Sequence, residues 1–214
     1  QHAALKYIDG PLLVLAGAGS GKTSVITQKI AYLVEECGIP ARNIAAVTFT
    51  NKAAREMKAR VSTLLGKSEG KGLKVSTFHN LGLTIIRTEI KALGFKPGFS
   101  ILDQEDCKNL LKELLVRNTE LDEKLIDTAQ NTISNWKNGL LEPHQTANAS
   151  NSTGEQGIAM LYERYQRALK AYNAVDFDDL IMIPVLLFRS QPEVLAKWQR
   201  RIRYLLVDEY QDTN

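Results

Sequence analysis

A glycine-rich segment near the start of the chain ends in a lysine and a threonine, a pattern that can bind phosphate. The segment reads AGAGSGKT from Ala16 to Thr23 and matches the phosphate-loop pattern except at Ala16, where the strict pattern has glycine. The glycines allow successive backbone N–H groups to point into one concavity that holds phosphate oxygens. Lys22 is placed to reach the β- and γ-phosphates of a nucleotide, and the Thr23 hydroxyl to ligate Mg²⁺. A chance glycine-rich turn is the alternative, but the segment joins a predicted strand to a predicted helix, as a phosphate loop requires.

Two adjacent acids follow an apolar run near the other end of the chain. Asp208 and Glu209 come directly after LLV at 205–207. Asp208 can hold Mg²⁺ through its water shell, and Glu209 can take a proton from the water that attacks a γ-phosphate. The pair by itself also fits a charged strand end that faces solvent. Together with the phosphate loop it indicates nucleotide hydrolysis, with Lys22, Asp208 and Glu209 as catalytic residues and Thr23 and Asp208 at the metal.

The elements that position these residues repeat a strand–loop–helix plan. Strands are predicted at Leu12–Ala16, at Ile44–Phe49, just before His79, and before Asp208. The first three are followed by amphipathic helices that end at Gly38, Gly66 and Gly94. This succession predicts an α/β fold with a parallel sheet covered on both faces. Ligands of such sheets bind at the carboxyl ends of the strands, which is where all the named loops lie.

The pattern changes between about Arg87 and Arg200, where no strand is evident. Helices are predicted after Asp103, which acts as N-cap with Asp106 three residues on, and at 121–136 and 158–172. The polar stretch 141–157 is predicted to be a loop. Residues 87–199 are therefore predicted to be an inserted all-helical subdomain, and residues 1–86 and 200–214 the domain that carries the sheet.

Three acids in the predicted insertion allow two interpretations. Asp176, Asp178 and Asp179 are close enough in sequence to suggest a metal cluster. Their apolar neighbours favour instead a helix start with acids in its first turn, which the helix dipole stabilises. We expect the second, structural interpretation.

Composition excludes several classes of protein. The 214 residues carry a net charge of only +3, so any nucleic-acid partner must be argued locally. Cys37 and Cys107 stand apart, which disfavours a metal or disulfide role. No signal peptide or membrane-spanning run is present, and we expect a soluble, cytoplasmic protein without a membrane partner. Because the chain begins at Gln1 and stops within the acidic motif, we expect a piece of a longer polypeptide.

Two further loops carry side chains suited to DNA. Each follows a predicted strand and precedes a helix, so backbone N–H groups and side chains there can bind phosphate. Aromatic rings at these positions can stack on bases, and the basic helix 52–60 adds positive charge. The alternatives are aromatic core residues and a solvated helix face. The predicted DNA-binding residues are Phe49, Thr50, Asn51, Phe78 and His79.

Five motifs in order resemble the UvrD/Rep family of superfamily-one DNA helicases. They are AGAGSGKT, TFTNKAAREM (48–57), STFHNLG (76–82), VDFDDLI (175–181) and VDEYQDTN (207–214). The resemblance covers essentially the whole chain, and TISNWKN (132–138) is most similar to the Rep branch.

The resemblance implies the first of two RecA-like P-loop NTPase domains, with a helical insertion. It implies ATP and Mg²⁺ as cofactors, 3′-to-5′ translocation on single-stranded DNA and unwinding at single/double-strand junctions in replication or repair. Ser24 stands where relatives commonly have arginine, so any nucleotide contact from that arginine is missing. The implied ATP-binding residues are Gln1, Ala18, Gly19, Ser20, Gly21, Lys22, Thr23, Ser24 and Gln211.

Three other functions stay open from the sequence. The chain could be the motor part of a helicase–nuclease subunit, or a phosphate-loop ATPase without a DNA role. The insertion could also serve chiefly as a docking surface for replication proteins. Under the helicase interpretation the isolated chain is expected to be inactive, because the arginine finger would come from a second motor domain.

Overall fold

The computed structural model describes residues 2–15, 21–115, 123–149 and 152–213, without the side chains of His2, Lys67, Ser68 and residues 147–149. The first elements in chain order are α1 (His2–Lys6), α2 (Lys22–Glu35), β1 (Ile44–Thr48), α3 (Asn51–Glu69), β2 (Lys74–Thr77), α4 (Phe78–Thr88), α5 (Ile90–Leu93) and β3 (Ser100–Ile101). They are followed by α6 (Gln104–Leu115), α7 (Glu123–Asn138), α8 (Pro143–Ala149), α9 (Thr153–Ala171), β4 (Ala174–Val175), α10 (Asp179–Ser190), α11 (Pro192–Arg201) and β5 (Tyr204–Val207).

The chain divides into two compact units. The first comprises residues 1–81 and 191–214, and the second comprises residues 82–190. The sequence predicts one domain of residues 1–86 and 200–214 and an inserted one of residues 87–199. In the observed and in the predicted division, the two ends of the chain belong to one unit and the middle belongs to the other.

A parallel sheet of three strands in the order β2-β1-β5 organises the first unit. Every residue of β1 is buried, as expected for the central strand. Val47 lies beside Ser76 of β2 and beside Val207 of β5, so the three strands end at the same edge. The predicted α/β fold with a parallel sheet is confirmed, because strands and helices alternate as the apolar pattern indicates.

The core of the first unit lies between β1 and the helices α2 and α3. Apolar residues at helical spacing face the strand from both helices, which is why the sequence shows amphipathic patterns there. Gly66 interrupts α3 with a φ of +71°, a conformation that favours glycine. The buried core residues are Ile30, Leu33, Ile44, Ala46, Met57, Val61 and Leu65.

The predicted strand at Leu12–Ala16 is not a strand in the described residues. Residues 11–15 lie outside any helix or strand, and Leu13 and Leu15 are 61% and 86% exposed. A strand needs a neighbour that completes its backbone hydrogen bonds, and the sheet ends at β5 without pairing this run. Apolar content indicated a buried strand but could not supply that partner. Ala16 lies outside the described residues.

Helices dominate the second unit, with two differences from the prediction. Ser100 and Ile101 pair in parallel with Ala174 and Val175, so the unit is not all-helical. The polar stretch 141–157 is not one loop, because α8 and the start of α9 lie in it. Strands of two residues are too short to show an apolar pattern.

The start of α6 is capped as the sequence predicts. Asp103 accepts from the Asp106 backbone N–H at 2.9 Å, and Asp106 accepts from the Asp103 backbone N–H at 3.2 Å. Each carboxylate thus satisfies a donor that the helix itself leaves free. Among the residues described, no helix combines the length and apolar character that crossing a bilayer requires.

Candidate nucleotide and nucleic-acid site

The two ends of the first unit meet at the hydroxyl of Thr23 and the carboxylate of Asp208. Oγ1 of Thr23 donates to Oδ2 of Asp208 at 3.5 Å, across 185 residues of sequence. Asp208 is placed by β5, since its backbone N–H continues the ladder to the Val47 carbonyl at 2.9 Å. Thr23 is placed by the first turn of α2, whose N-cap Gly21 has a φ of +80°. Glycine at this position lets the chain enter the helix in a left-handed conformation.

A second pair lies beside the first. Nζ of Lys22 is 3.8 Å from Oε2 of Glu209, and both side chains are partly open to solvent. The Gln211 amide donates to the same Glu209 carboxylate. The structure therefore gathers an ammonium, a hydroxyl, two carboxylates and an amide at the carboxyl end of β5.

The carboxylate of Asp208 is costly to ionise. Its residue is only 5% exposed. Burial raises the pKa of Asp208, and the neighbouring charge of Glu209 raises this pKa further. A cation close by would offset both effects, because an opposite charge favours the ionised form.

Glu209 has an unusual backbone. Its φ of 53° and ψ of 48° lie in the left-handed region, which costs energy for any residue with a side chain. This conformation turns the chain out of β5 into the short 3₁₀ turn Tyr210–Asp212. Such local strain is often found at functional sites.

The residues present fit a magnesium ion. Hard cations take oxygen ligands, and the hydroxyl of Thr23 and the carboxylate of Asp208 offer two of them close together. Waters and phosphate oxygens usually complete the shell of Mg²⁺. The buried charge of Asp208, which no described residue pairs within ion-pair distance, matches a site for a cation.

Several predicted nucleotide contacts lie outside the described residues, namely Gln1, Ala18, Gly19 and Ser20. Gly21, the next residue in the sequence, is exposed. Ser24 lies in α2, half-buried, with its backbone carbonyl accepting from the Thr27 hydroxyl at 3.0 Å.

The predicted DNA residues gather at the ends of β1 and β2. The rings of Phe49 and Phe78 lie 5.2 Å apart between centroids, tilted by 53°. Phe49 is 40% exposed, which leaves part of its ring open for stacking. His79 is exposed in the first turn of α4, because β2 passes directly into that helix. His79 therefore lies in a helix and not in the predicted turn.

The polar residues at this edge are partly engaged with each other. The Thr50 hydroxyl accepts from the Ala53 backbone N–H at 3.1 Å and still has its own proton to donate. Oδ1 of Asn51 accepts from Nδ2 of Asn80 at 3.2 Å, which leaves the Asn51 amide protons for another acceptor. The structure thus brings all five predicted DNA residues to the same sheet edge as Lys22 and Asp208.

Sequence reasoning missed two positioning residues in this unit. Asn80 ties the start of α4 to the start of α3, and its only signal is a polar residue at a helix start. Lys29 donates to the carbonyls of Ala4 at 3.2 Å and Leu5 at 2.5 Å, and also to that of Tyr7. It thereby satisfies the end of α1, where helical carbonyls lack partners. A lysine in the apolar face of α2 could have indicated such a role.

The acids of the second unit are structural, as expected. Lys137 is buried and donates to Asp176 at 2.6 Å and to Asp179 at 2.8 Å. Tyr165 also donates to Asp176, at 3.0 Å. Asp176 and Asp179 cap the start of α10 by accepting from each other's backbone N–H. Among the described residues no cluster of three or more His, Cys, Asp or Glu side chains has a metal-binding arrangement.

Comparison with known proteins matches this chain to a known protein family. The profile of the UvrD/REP helicase N-terminal domain matches residues 1–214. The chain is 55% identical over 214 residues to ATP-dependent DNA helicase Rep of Escherichia coli (strain K12). The matched region covers 100% of this chain and 32% of that protein. It is 46% identical over 214 residues to ATP-dependent DNA helicase Rep of Buchnera aphidicola subsp. Baizongia pistaciae, with the same coverage. Against ATP-dependent DNA helicase PcrA of Leuconostoc citreum the identity is 44% over 216 residues, or 29% of that protein.

These matches confirm the resemblance that the five ordered motifs indicate. The family profile covers every residue, including the middle of the chain where the sequence pattern changes. The chain nevertheless spans only 32% of the length of the Rep relatives, so their whole activity is not carried over by similarity alone. On the full-length match, the chain belongs to the UvrD/REP helicase N-terminal domain family.

Proposed function

We propose that this chain binds ATP with Mg²⁺ and single-stranded DNA, as part of an ATP-dependent 3′-to-5′ DNA helicase acting in replication or repair. The observation that carries the proposal is the meeting of Thr23 with Asp208 and of Lys22 with Glu209 at one sheet edge. The relatives named ATP-dependent DNA helicases support the choice among nucleotide-dependent reactions.

The nucleotide contacts follow from side-chain chemistry. Lys22 binds the β- and γ-phosphates as a point charge, and the backbone N–H groups of the glycine-rich loop bind the remaining phosphate oxygens. Thr23 and Asp208 hold Mg²⁺, which supplies charge neutralisation on the phosphates when bound. The other proposed ATP-binding residues are Gln1, Ala18, Gly19, Ser20, Gly21, Ser24 and Gln211.

Glu209 is proposed as the base of hydrolysis. Its side chain is 40% exposed beside Lys22, so a water that attacks the γ-phosphate has access to it. The carboxylate accepts a proton from that water as the water oxygen bonds to phosphorus and the bond to the leaving diphosphate breaks. Gln211, which donates to Glu209, orients the carboxylate.

Single-stranded DNA is proposed to cross the ends of β1 and β2. Phe49 and Phe78 stack on bases, while Thr50, Asn51 and His79 contact the backbone or base edges. Their position next to the nucleotide site gives a physical route from phosphate binding to DNA movement. We further propose that the first unit is a RecA-like domain, that the second is its insertion, and that the parent enzyme acts at single/double-strand junctions with replication proteins.

Two binding measurements test the proposal on the 214-residue chain. A fluorescent ATP analogue is titrated with and without Mg²⁺, and a labelled oligothymidylate is titrated by fluorescence anisotropy. We expect Mg²⁺-dependent nucleotide binding that Thr23→Val weakens, and DNA binding that Thr23→Val leaves unchanged. Nucleotide binding without any DNA binding would favour an ATPase with no DNA role, and absence of both would overturn the proposal.

A further inference from the structure

The edge of the sheet opposite the nucleotide site carries a concentration of positive charge. Three segments lead into the amino ends of the strands, at 40–43, 70–74 and 195–203, and none of them contains an aspartate or a glutamate. Six of their basic side chains are exposed, namely Lys197 and five others. We call these five residues the amino-end patch: Arg42, Lys71, Arg200, Arg201 and Arg203.

Measured contacts hold the segments of the patch together. Nδ2 of Asn43 donates to the carbonyls of Arg200 at 3.4 Å and Arg201 at 3.1 Å. The backbone N–H of Arg203 donates to the Asn43 carbonyl at 2.8 Å. These bonds fix the end of α11 and the start of β5 beside the residues that precede β1.

A close backbone approach brings the third segment to the same place. Gly72 has a φ of +90°, and a Cβ atom built there would lie 2.9 Å from Cβ of Arg42. The turn that carries Lys71 therefore packs directly on Arg42, and only glycine permits that approach.

A half-buried lysine adds its charge beneath this surface. Nζ of Lys74 is shielded from solvent and has no hydrogen-bond partner among the described residues. It lies 5.5 Å from the ring centroid of Trp198, and the Arg201 guanidinium lies 5.0 Å from the same centroid. Burial lowers the pKa of Lys74, and the charge of Arg201 adds to that effect.

The helix dipole explains only part of the patch. Arg200 and Arg201 occupy the last turn of α11, where cations are stabilised by the helix itself. Arg42, Lys71 and Arg203 lie outside any α-helix. Within the described part of the chain, none of the five cations forms an ion pair, so their charges are not neutralised by the fold.

The charge of the patch and its lack of an exposed aromatic ring favour one kind of ligand. Cations that form no ion pair attract phosphates. Single-stranded nucleic acid is usually held by exposed aromatic rings as well as charge, but Trp198 is only 3% exposed beneath the two cations. A duplex presents phosphates alone on its outer surface and needs no stacking partner.

We propose that the amino-end patch is a second nucleic-acid surface, which binds the phosphate backbone of duplex DNA without reading its sequence. It is separate from the edge where β1, β2 and β5 end, and it does not depend on nucleotide binding.

Charge reversal with a matched control tests the proposal. Lys71→Glu, Arg200→Glu and Arg203→Glu are combined in one variant, and Lys91→Glu, Lys170→Glu and Arg189→Glu in a control with the same change in net charge on exposed residues of the second unit. Duplex affinity is measured by fluorescence anisotropy over a salt series. Log affinity falls with log salt, and each lost phosphate contact makes this slope shallower by about 0.9, so the slope of the patch variant is expected to be shallower by about 2.7. The control should keep the slope of the unchanged chain.

Three outcomes would overturn the proposal. One is an unchanged slope in the patch variant, and another is an equal loss in both variants, which would reflect net charge alone. The third is displacement of the duplex by polyglutamate as effectively as by DNA at equal charge, which would assign the patch to an acidic polypeptide. Oligothymidylate binding should survive in the patch variant, which separates this test from that of the proposed function.

A second measurement needs no substitution and so does not depend on variant folding. Lys71 is acetylated in the unchanged chain with and without a short duplex, and the modified sites are quantified by mass spectrometry. We expect the duplex to protect Lys71 and not Lys91. Equal modification of Lys71 in both conditions would count against the patch.

Discussion

The Thr23 hydroxyl donates to the Asp208 carboxylate at 3.5 Å although 185 residues separate them. Between them the chain forms all three strands of the sheet and the entire second unit. The contact exists because β5 returns beside β1, with Val207 paired to Val47. The chemistry of the site therefore depends on completing the sheet, and each half of the site is incomplete alone.

Replacing Lys22 should weaken nucleotide binding. Lys22→Ala removes a charged donor to phosphate, and such bonds contribute about 1.5–3 kcal/mol, so affinity should fall roughly 10- to 100-fold. Titration with a fluorescent ATP analogue measures the change. Lys91→Ala, at an exposed position of the second unit, is the control and should bind normally. Equal affinity in both variants would remove Lys22 from the site.

Neutralising Asp208 should stabilise the fold at neutral pH. Because burial and Glu209 raise the pKa of Asp208, the folded state holds its proton more tightly than the unfolded state. Stability is then lost as pH rises from the ordinary aspartate pKa to the raised pKa, and the loss persists above it. Asp208→Asn lacks this loss, so its Tm should exceed that of the unchanged chain at pH 7. The difference should shrink as pH falls through the raised pKa, and thermal melts across pH that show no such trend would contradict this.

The buried cation of the second unit should be essential for stability. Lys137→Met leaves Asp176 and Asp179 without their counter-charge, and breaking a buried pair costs about 3–5 kcal/mol. Urea denaturation measures this loss of stability. Adding Asp176→Asn and Asp179→Asn to the same variant should restore much of the stability. A triple variant no more stable than Lys137→Met would show that charge is not the cause.

A glycine in α4 should tolerate no side chain. A Cβ at Gly82 would lie 1.8 Å from the Leu180 carbonyl oxygen, so Gly82→Ala forces backbone apart and should cost about 1–3 kcal/mol or more. Gly157 in α9 has nothing within 4 Å of its Cβ position. Gly157→Ala should instead stabilise by about 0.5–1 kcal/mol, as alanine does in a helix. Urea midpoints that move in the same direction for both variants would contradict the packing at Gly82.

The exposed aromatic ring at the end of β1 should contribute to DNA binding. Phe49→Ala removes a stacking surface that is 40% exposed, and one stacked base contributes about 1–3 kcal/mol. A loss of that free energy should lower the affinity for oligothymidylate roughly 5- to 100-fold. Tyr172→Ala, which removes a ring that is 59% exposed in the second unit, should have no effect. If the tyrosine variant loses as much affinity, the stacking site has been misplaced.

Residue types and their local spacing are enough to predict the candidate chemistry of this protein and most of its helices and strands. Residue types at fixed spacing predicted the roles of Lys22, Thr23, Asp208 and Glu209, because phosphate and metal binding demand particular side chains. Local patterns also placed β1, β2 and β5, and the reciprocal cap of Asp103 and Asp106, since hydrogen bonds within a few residues are written in the local sequence.

Features that depend on partners distant in sequence are visible only in the folded chain. It left Leu12–Leu15 outside the sheet, because a strand exists only where a neighbour pairs with it. It placed Lys137 between Asp176 and Asp179, and Asn43 against the end of α11, across distances in sequence that no local pattern spans. Charge and apolar spacing state what each residue can do, whereas chain topology selects which residues meet.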